Sequence, residues 1–520
     1  MSSQNDDAAE ESSSTVGSSS FTFSAENGAL TGDTFTVTIG ATVPTGFERT
    51  AAEEVEEKIG VAACVSKDRG RIYFPITTDK LSQVHCLRSV DNLFVVVEEY
   101  DHFHFKESKE ETLMELQQLA SKLPWTNALE VWKLNRTLKK RKGHRKGPNG
   151  TKVKPSSEDV ETTEANIDQR ELPESAHSSE GPMKAESLPD MASNSQASGE
   201  AAPEAKVVRF RVTCNRAGDN HSFSSNEAAR DFGGAVQEFF QWKADMTKFD
   251  IEVLLNINKE EVVVGIALTE ESLHRRNISH FGPTTLRSTL CYGMLRLCKP
   301  QVSDIIIDPM CGTGAIPLEG AIEFSSSFYV AGDNCDMAVK RTVSNIRHME
   351  KRRAEKGSAS GLPIDTVQWD LCDLPVRTSS VDIIITDMPF GKRMGSKRKN
   401  WDLYPSCLRE MARVCRPGSG KAVLLTQDKK CFSKAVSRMG GLWGKLCTVW
   451  VNVGGLHAAV YLLKRTGAAF GQTPEDVYPS QGTVHAQGEK DGEKDGEKDG
   501  EKGREKSGEK GGEKGGEELS

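Results

Sequence analysis

Asp387, Met388, Pro389 and Phe390 follow the apolar run Val381 to Ile385 and precede Gly391. That arrangement suits the methylation of an exocyclic aromatic amine. The lone pair of such an amine is delocalised into its ring, so the free group is a poor nucleophile until its N–H bonds meet acceptors. An acidic side chain at a strand tip, followed by a proline whose carbonyl points the same way, offers two acceptors, and the next aromatic ring can stack on the base. Four residues are a short string, and an ordinary strand-to-turn exit has the same look. A second motif upstream raises the chemical reading.

Ile305, Ile306 and Ile307 form a β-branched run that ends in Asp308, Pro309, Met310, Cys311, Gly312, Thr313 and Gly314. This reads as a buried parallel strand entering a glycine turn, and the helical pattern from Ala315 to Phe324 makes that turn a helix N-terminus suited to a nucleotide. A dinucleotide fingerprint wants a third glycine where this chain has Pro317, which disfavours NAD and FAD. The next apolar stretch, Phe328 to Ala331, ends in Gly332 and Asp333, at the separation expected of a carboxylate that grips a ribose diol. After a basic helix pattern (Ala338 to Lys356), Thr366 to Trp369 form a third strand ending in Asp370, and Val381 to Ile385 a fourth. In an open parallel sheet, ligands bind outside the carboxyl ends of the strands, so Asp308, Asp333, Asp370 and Asp387 should converge there. Each aspartate alone could be a helix cap or turn residue. Four at successive strand ends suit the cationic cofactor S-adenosylmethionine, with Asp308, Pro309, Cys311, Gly312, Gly314, Asp333 and Asp370 as its candidate ligands and Asp387, Pro389 and Phe390 as the catalytic set.

Asp308 to Ala321 and Asp387 to Gly391 resemble the cofactor-binding and catalytic motifs of amino-methyltransferases with a doubly wound sheet. Phe210 to Arg216, Phe223 to Ser225, Val262 to Ala267 and Ser272 to Asn277 look like a THUMP domain, an RNA-binding module of tRNA-modifying enzymes. Over roughly residues 40–140 and 206–465 the arrangement resembles the THUMP-containing tRNA guanine-N2-methyltransferases. The resemblance implies an α/β fold: a Rossmann-like doubly wound methyltransferase sheet, preceded by an α+β ferredoxin-like unit and the THUMP module. It also implies methylation of guanosine N2 in the tRNA acceptor stem, at the sixth nucleotide, with a small zinc-ribbon activator subunit as heterodimer partner. Met388 departs from the commoner Pro-Pro pair; the acceptor there is backbone and survives the change.

Composition divides the chain. Residues 1–33 are serine and acid rich at their start, 147–205 hold Ser, Glu, Pro and Ala with almost no aromatic residue, and 488–518 repeat Gly-Glu-Lys within a tail taken to span 467–520. Such segments cannot bury enough apolar surface to order themselves. The formal charge of −8 argues against nucleic acid only if taken whole. Residues 1–20, 155–205 and 488–518 carry −4, −10 and −4, which leaves about +10 for the rest. Most of that excess sits in one arm, with Lys139, Lys140, Arg141 and Lys142 at its start, expected to contact RNA backbone or act as a nuclear address. The twelve cysteines lack any Cys-x-x-Cys pair or zinc spacing, so reduced thiols, no metal and a cytoplasmic setting are expected. No apolar segment approaches transmembrane length, and the start lacks the basic and apolar regions of a signal peptide.

In the front half, strand and helix patterns alternate from Thr34 to Glu98, which fits a ferredoxin-like unit over 34–140; a basic arm and acidic linker (141–205) then separate it from a THUMP module (206–277). A helix from Thr284 to Leu297 leads into the methyltransferase domain (278–466). Arg275 and Arg276 are candidate RNA contacts on the THUMP side, and Lys392 and Arg393, with Lys397, Arg398 and Lys399, are phosphate contacts just after the catalytic turn. Trp401 and Tyr404 could stack on bases or pack under the loop. Rival readings are an RNA adenine or protein glutamine amino-methyltransferase, and an inert RNA-binding scaffold. A carbon methyltransferase would need a cysteine nucleophile near the turn, and Asp387 to Trp401 contains none.

Overall fold

Alternating β-branched residues of the front half form strands, and the computed structural model describes residues 34–66, 70–144, 207–218, 221–358, 361–391 and 395–471. The first elements are β1 (Thr36–Thr42), α1 (Glu48–Ile59), β2 (Cys64–Val65), β3 (Arg71–Thr77), α2 (Leu81–Val84) and β4 (Asn92–Tyr100). They are followed by α3 (Lys109–Lys122), α4 (Trp125–His144), β5 (Arg209–Ala217), α5 (Ser225–Phe240), β6 (Lys243–Ala244), β7 (Ile251–Asn258) and β8 (Glu261–Ala267). Strand order β2-β3-β1-β4-β8-β7-β5-β6 makes one eight-stranded sheet. Its first four strands have the ferredoxin-like order, but they do not stand apart from the THUMP-like half. β4 pairs antiparallel with β8, Phe94 opposite Ala267 and Val95 opposite Ile266. The physical reason lies in β4: Leu93, Phe94 and Val95 are all buried, so both faces are covered and the strand is interior. α3 packs on α5, and α4 on β4 and β8. The start of the basic arm is therefore the last turns of α4.

The second half holds α6 (Ser288–Cys298), β9 (Ile305–Asp308), α7 (Ala315–Glu323), β10 (Phe328–Asp333), α8 (Asp336–Ala354), β11 (Ile364–Gln368) and β12 (Ile383–Asp387). α9 (Lys397–Val414), β13 (Lys421–Thr426), α10 (Lys429–Arg438), β14 (Trp443–Val453) and β15 (Leu456–Arg465) complete it. The sheet order is β11-β10-β9-β12-β13-β15-β14. β9 to β13 run parallel, while β15 is antiparallel to both its neighbours. Order reverses between β9 and β12, which opens a crevice at their carboxyl ends. α6 starts four residues after the apolar spacing suggests, because 281–287 form a loop that covers the crevice.

The halves meet through buried charge. Glu319 of α7, fully inaccessible, accepts from Arg88 Nε at 2.6 Å and Arg276 Nη2 at 2.8 Å, and also from Asn277 Nδ2. Phe47, ahead of α1, packs so closely on Gly293 of α6 that a Cβ there would lie 2.6 Å from its ring. Among the described residues no helix is long and apolar enough to cross a membrane.

Candidate active site

Three strands of the second sheet end in aspartate: β9 in Asp308, β10 in Asp333 and β12 in Asp387, with Asp370 two residues beyond β11. All four line one cavity of about 900 Å³. The sequence-predicted convergence is thus present. The turn after β9 is built for close approach. Gly312 and Gly314 have φ of +57° and +76°, and a Cβ at 314 would lie 2.6 Å from the Thr342 methyl. Cys311 N donates to Gly332 O at 2.8 Å and Gly312 N to Asp333 Oδ2 at 2.9 Å, so the turn is tied to the end of β10. Pro309 O accepts from Trp369 Nε1 at 3.2 Å, and Asp370 Oδ1 from Cys372 N at 2.9 Å.

Burial dominates the electrostatics. It pushes the Asp308 carboxyl up to about 7. Burial and then the neighbouring Asp308 charge push Asp387 up to about 8. Two desolvated acids side by side resist ionising together, and a cation in the cavity favours their charged forms. Asp387 Oδ1 is inaccessible and meets no donor. An orphaned acceptor of this kind is costly unless a ligand supplies the donor. Burial also raises the Cys311 thiol well above its ordinary value, and its Sγ lies 3.6 Å from Thr342 Oγ1. That thiol is no nucleophile.

The catalytic turn corrects one expectation. Pro389 O does not face an incoming amine: it accepts from Tyr404 OH at 2.6 Å and Asn400 Nδ2 at 3.1 Å. Tyr404 OH also lies 2.7 Å from Thr426 Oγ1, and Asn400 Nδ2 donates to Asp428 Oδ2 at 3.1 Å. Met388 lines the cavity as well. The Met388 side chain is buried in the core behind β12, beside Tyr404 and Leu408, and its N–H donates to Leu425 O at 2.8 Å. Residue 388 therefore serves the site through its backbone and the core through its side chain, which accounts for a methionine there. Phe390 is half-buried and lines the cavity. Tyr404 is buried and positions the turn; it does not stack on a base.

Sequence reasoning named Arg275 but missed the rest of the roof. The segment between the two sheets places His274, Arg275, Phe281 and Arg287 over the cavity, with the Arg275 guanidinium 5.4 Å from the Phe281 ring centre. Asn400, Asp428 and Thr426, which hold the catalytic turn, were missed as well.

Arg276 is corrected. It is held by Glu319 and by Arg88 O, so its charge is spent inside the protein and not on RNA. Arg275, one residue earlier, is exposed at the cavity rim. Lys139 pairs with Glu270 at 3.0 Å on the surface. Lys140, Arg141 and Lys142 continue α4, their side chains outside the described residues, and Lys392 and Arg393 lie outside them altogether.

The glycine turn, four converging acids and the unpartnered Asp387 Oδ1 fit S-adenosylmethionine beside an aromatic amine. A doubly wound sheet with this site defines an S-adenosylmethionine-dependent amino-methyltransferase, here carrying an RNA-binding type of front half. The family comparisons agree: residues 275–459 match the RMKL-like methyltransferase domain family and 186–267 the THUMP domain. The chain is 61% identical over 465 residues to the Bos taurus tRNA (guanine(6)-N(2))-methyltransferase THUMP3, spanning 86% of this chain and 90% of that protein. It is 30% identical to the Bos taurus U6 snRNA (guanine-N(2))-methyltransferase THUMPD2, over 74% and 77% of the two chains. TrmN from Thermus thermophilus shares the fold, with a TM-score of 0.56 at 21% identity, covering 82% of this chain and 99% of that one. The chain belongs to the THUMP-containing guanine-N2-methyltransferases.

Proposed function

We propose that this chain transfers the methyl group of S-adenosylmethionine to N2 of guanosine 6 in tRNA. The observation that carries the reading is the Asp387 carboxyl, its Oδ1 without a partner, in the wall of a cavity lined by three further aspartates. Identity of 61% to a tRNA enzyme, against 30% to a U6 snRNA enzyme, favours tRNA over U6.

Bound S-adenosylmethionine supplies a methyl group on a sulfonium. The chain's own residues do the rest. Asp333 and Asp370 take hydroxyl and amine donors of the cofactor, and the Gly312–Gly314 turn lets backbone approach it. Asp387, ionised, and the Met388 carbonyl accept the two N–H groups of the target amine and disperse the charge that grows on it. Phe390 stacks on the base. The THUMP-like half and the α4 arm hold the RNA by shape and phosphates while the guanine is turned out of its helix. Catalysis is then chiefly positioning and fixed electrostatics.

A small zinc-ribbon activator belongs to the same reading. β11 is an edge strand of the second sheet, its free backbone groups able to receive an added strand. Val367→Pro should weaken co-purification with that partner, and an unchanged complex would argue against this edge. For the activity, labelled S-adenosylmethionine is incubated with total tRNA, with and without activator, and the modified nucleoside identified. N2-methylguanosine is expected; methyladenosine or labelled protein would overturn the reading.

A further inference from the structure

Two tryptophans stand open to solvent with a lysine over each ring. Lys434 Nζ lies 5.4 Å from the Trp401 ring centre and Lys429 Nζ 4.3 Å from that of Trp450. The tryptophans are 38% and 54% exposed. Lys397, Arg398 and Lys399 at the start of α9 and Lys430 on α10 are exposed on the same two packed helices, with Asp402 as an opposing charge.

The strip is mechanically continuous with the catalytic turn. Asn400, the residue before Trp401, donates to Pro389 O at 3.1 Å and to Asp428 Oδ2 at 3.1 Å. Asp428, the residue before Lys429, caps α10 by accepting from Cys431 N at 3.3 Å. Val453 and Gly454 line the cavity a few residues beyond Trp450 on the same strand and turn. Both lysine–tryptophan pairs are thus held at fixed distance from Asp387 by rigid elements.

We propose that this strip docks the RNA strand that runs on from the target nucleotide, with bases unstacked by its extrusion resting on Trp401 and Trp450 and phosphates on the surrounding lysines. The proposal rests on the tRNA reading above. Its chemistry is that of single-strand binding: every base offers a π-face, and each lysine can swing from the ring it covers to the phosphate beside the arriving base. A protein partner is a poorer match, because lysine is depleted where protein interfaces are buried. Extrusion of a base from a stem leaves its neighbours unstacked, and a nearby aromatic platform offsets part of that cost.

The test uses the full chain as Trp401→Ala/Trp450→Ala and as Trp401→Phe/Trp450→Phe, with tRNA affinity measured by anisotropy over a salt series and S-adenosylmethionine affinity by calorimetry. The alanine pair should weaken tRNA binding by about tenfold or more. The phenylalanine pair should recover most of it, and cofactor affinity should stay unchanged in both. Lys429→Ala/Lys434→Ala should flatten the salt dependence. Normal tRNA binding by the alanine pair overturns the proposal, and loss of a co-purifying protein in its place would make the strip a protein interface. If the unsubstituted chain fails to bind tRNA, the substrate reading falls together with this one.

Discussion

Replacing Glu319 by leucine should cost this protein about 3–5 kcal/mol, the range for breaking a buried ion pair from one side. The carboxylate is fully inaccessible and takes Arg88 Nε at 2.6 Å and Arg276 Nη2 at 2.8 Å, besides Asn277 Nδ2. Burial raises its pKa, but the Arg276 and Arg88 guanidiniums outweigh that and hold it below the usual carboxylate range. Without it, Arg276 keeps only the Arg88 carbonyl, and Arg88 keeps Glu323 at 3.5 Å. Several of their guanidinium nitrogens are already buried without partners, so no slack exists to absorb the loss. A depressed acid pKa contributes stability that is present above the ordinary value and lost as pH falls through the folded one. The penalty should therefore be full at pH 7 and shrink toward pH 4. Urea melts of Glu319→Leu at both pH values measure it, with Glu57→Ala as control. Glu57 pairs with Arg296 at 2.5 Å but is 57% exposed, and its removal should cost under about 1 kcal/mol. Pairing Glu319→Leu with Arg276→Met should recover part of the loss. A Glu319→Leu cost no larger than that of the control would refute the reasoning.

Tyr404→Phe should lower kcat by roughly tenfold with tRNA affinity unchanged, since Pro389 O loses its closer donor and the turn loosens. Unchanged kcat in steady-state assays would show that the hydroxyl does not position the turn. Asp387 has a folded pKa raised to about 8, so the cofactor-free protein binds more protons than its unfolded chain and loses stability as pH rises from about 4 to about 8. Thermal melts of Asp387→Asn should show a gain over the parent that grows across that window, and a pH-independent difference would contradict the burial argument.

The catalytic half was legible because its chemistry is local. Asp308, Asp333 and Asp387 each end an apolar run, and a parallel sheet converts that one-dimensional pattern into convergence at the crevice. The glycine turn could be read for the same reason. The joining of the front sheet across the 145–206 insertion was not legible: β4 and β8 are far apart in sequence, and an alternating strand does not name its neighbour. Arg275 and Arg276 show a second limit. Adjacent residues of one type face opposite ways, one to the cavity rim and one to Glu319, and only packing tells them apart. The direction of the Pro389 carbonyl was likewise set by Tyr404 and Asn400, which lie on a helix whose register against the turn is a tertiary fact.

The most direct test of the account is Asp387→Ala, assayed with labelled S-adenosylmethionine and tRNA while cofactor and tRNA affinities are measured on the same preparation. The account predicts loss of N2-methylguanosine formation with both affinities close to the parent's. Near-normal turnover in that variant would contradict it.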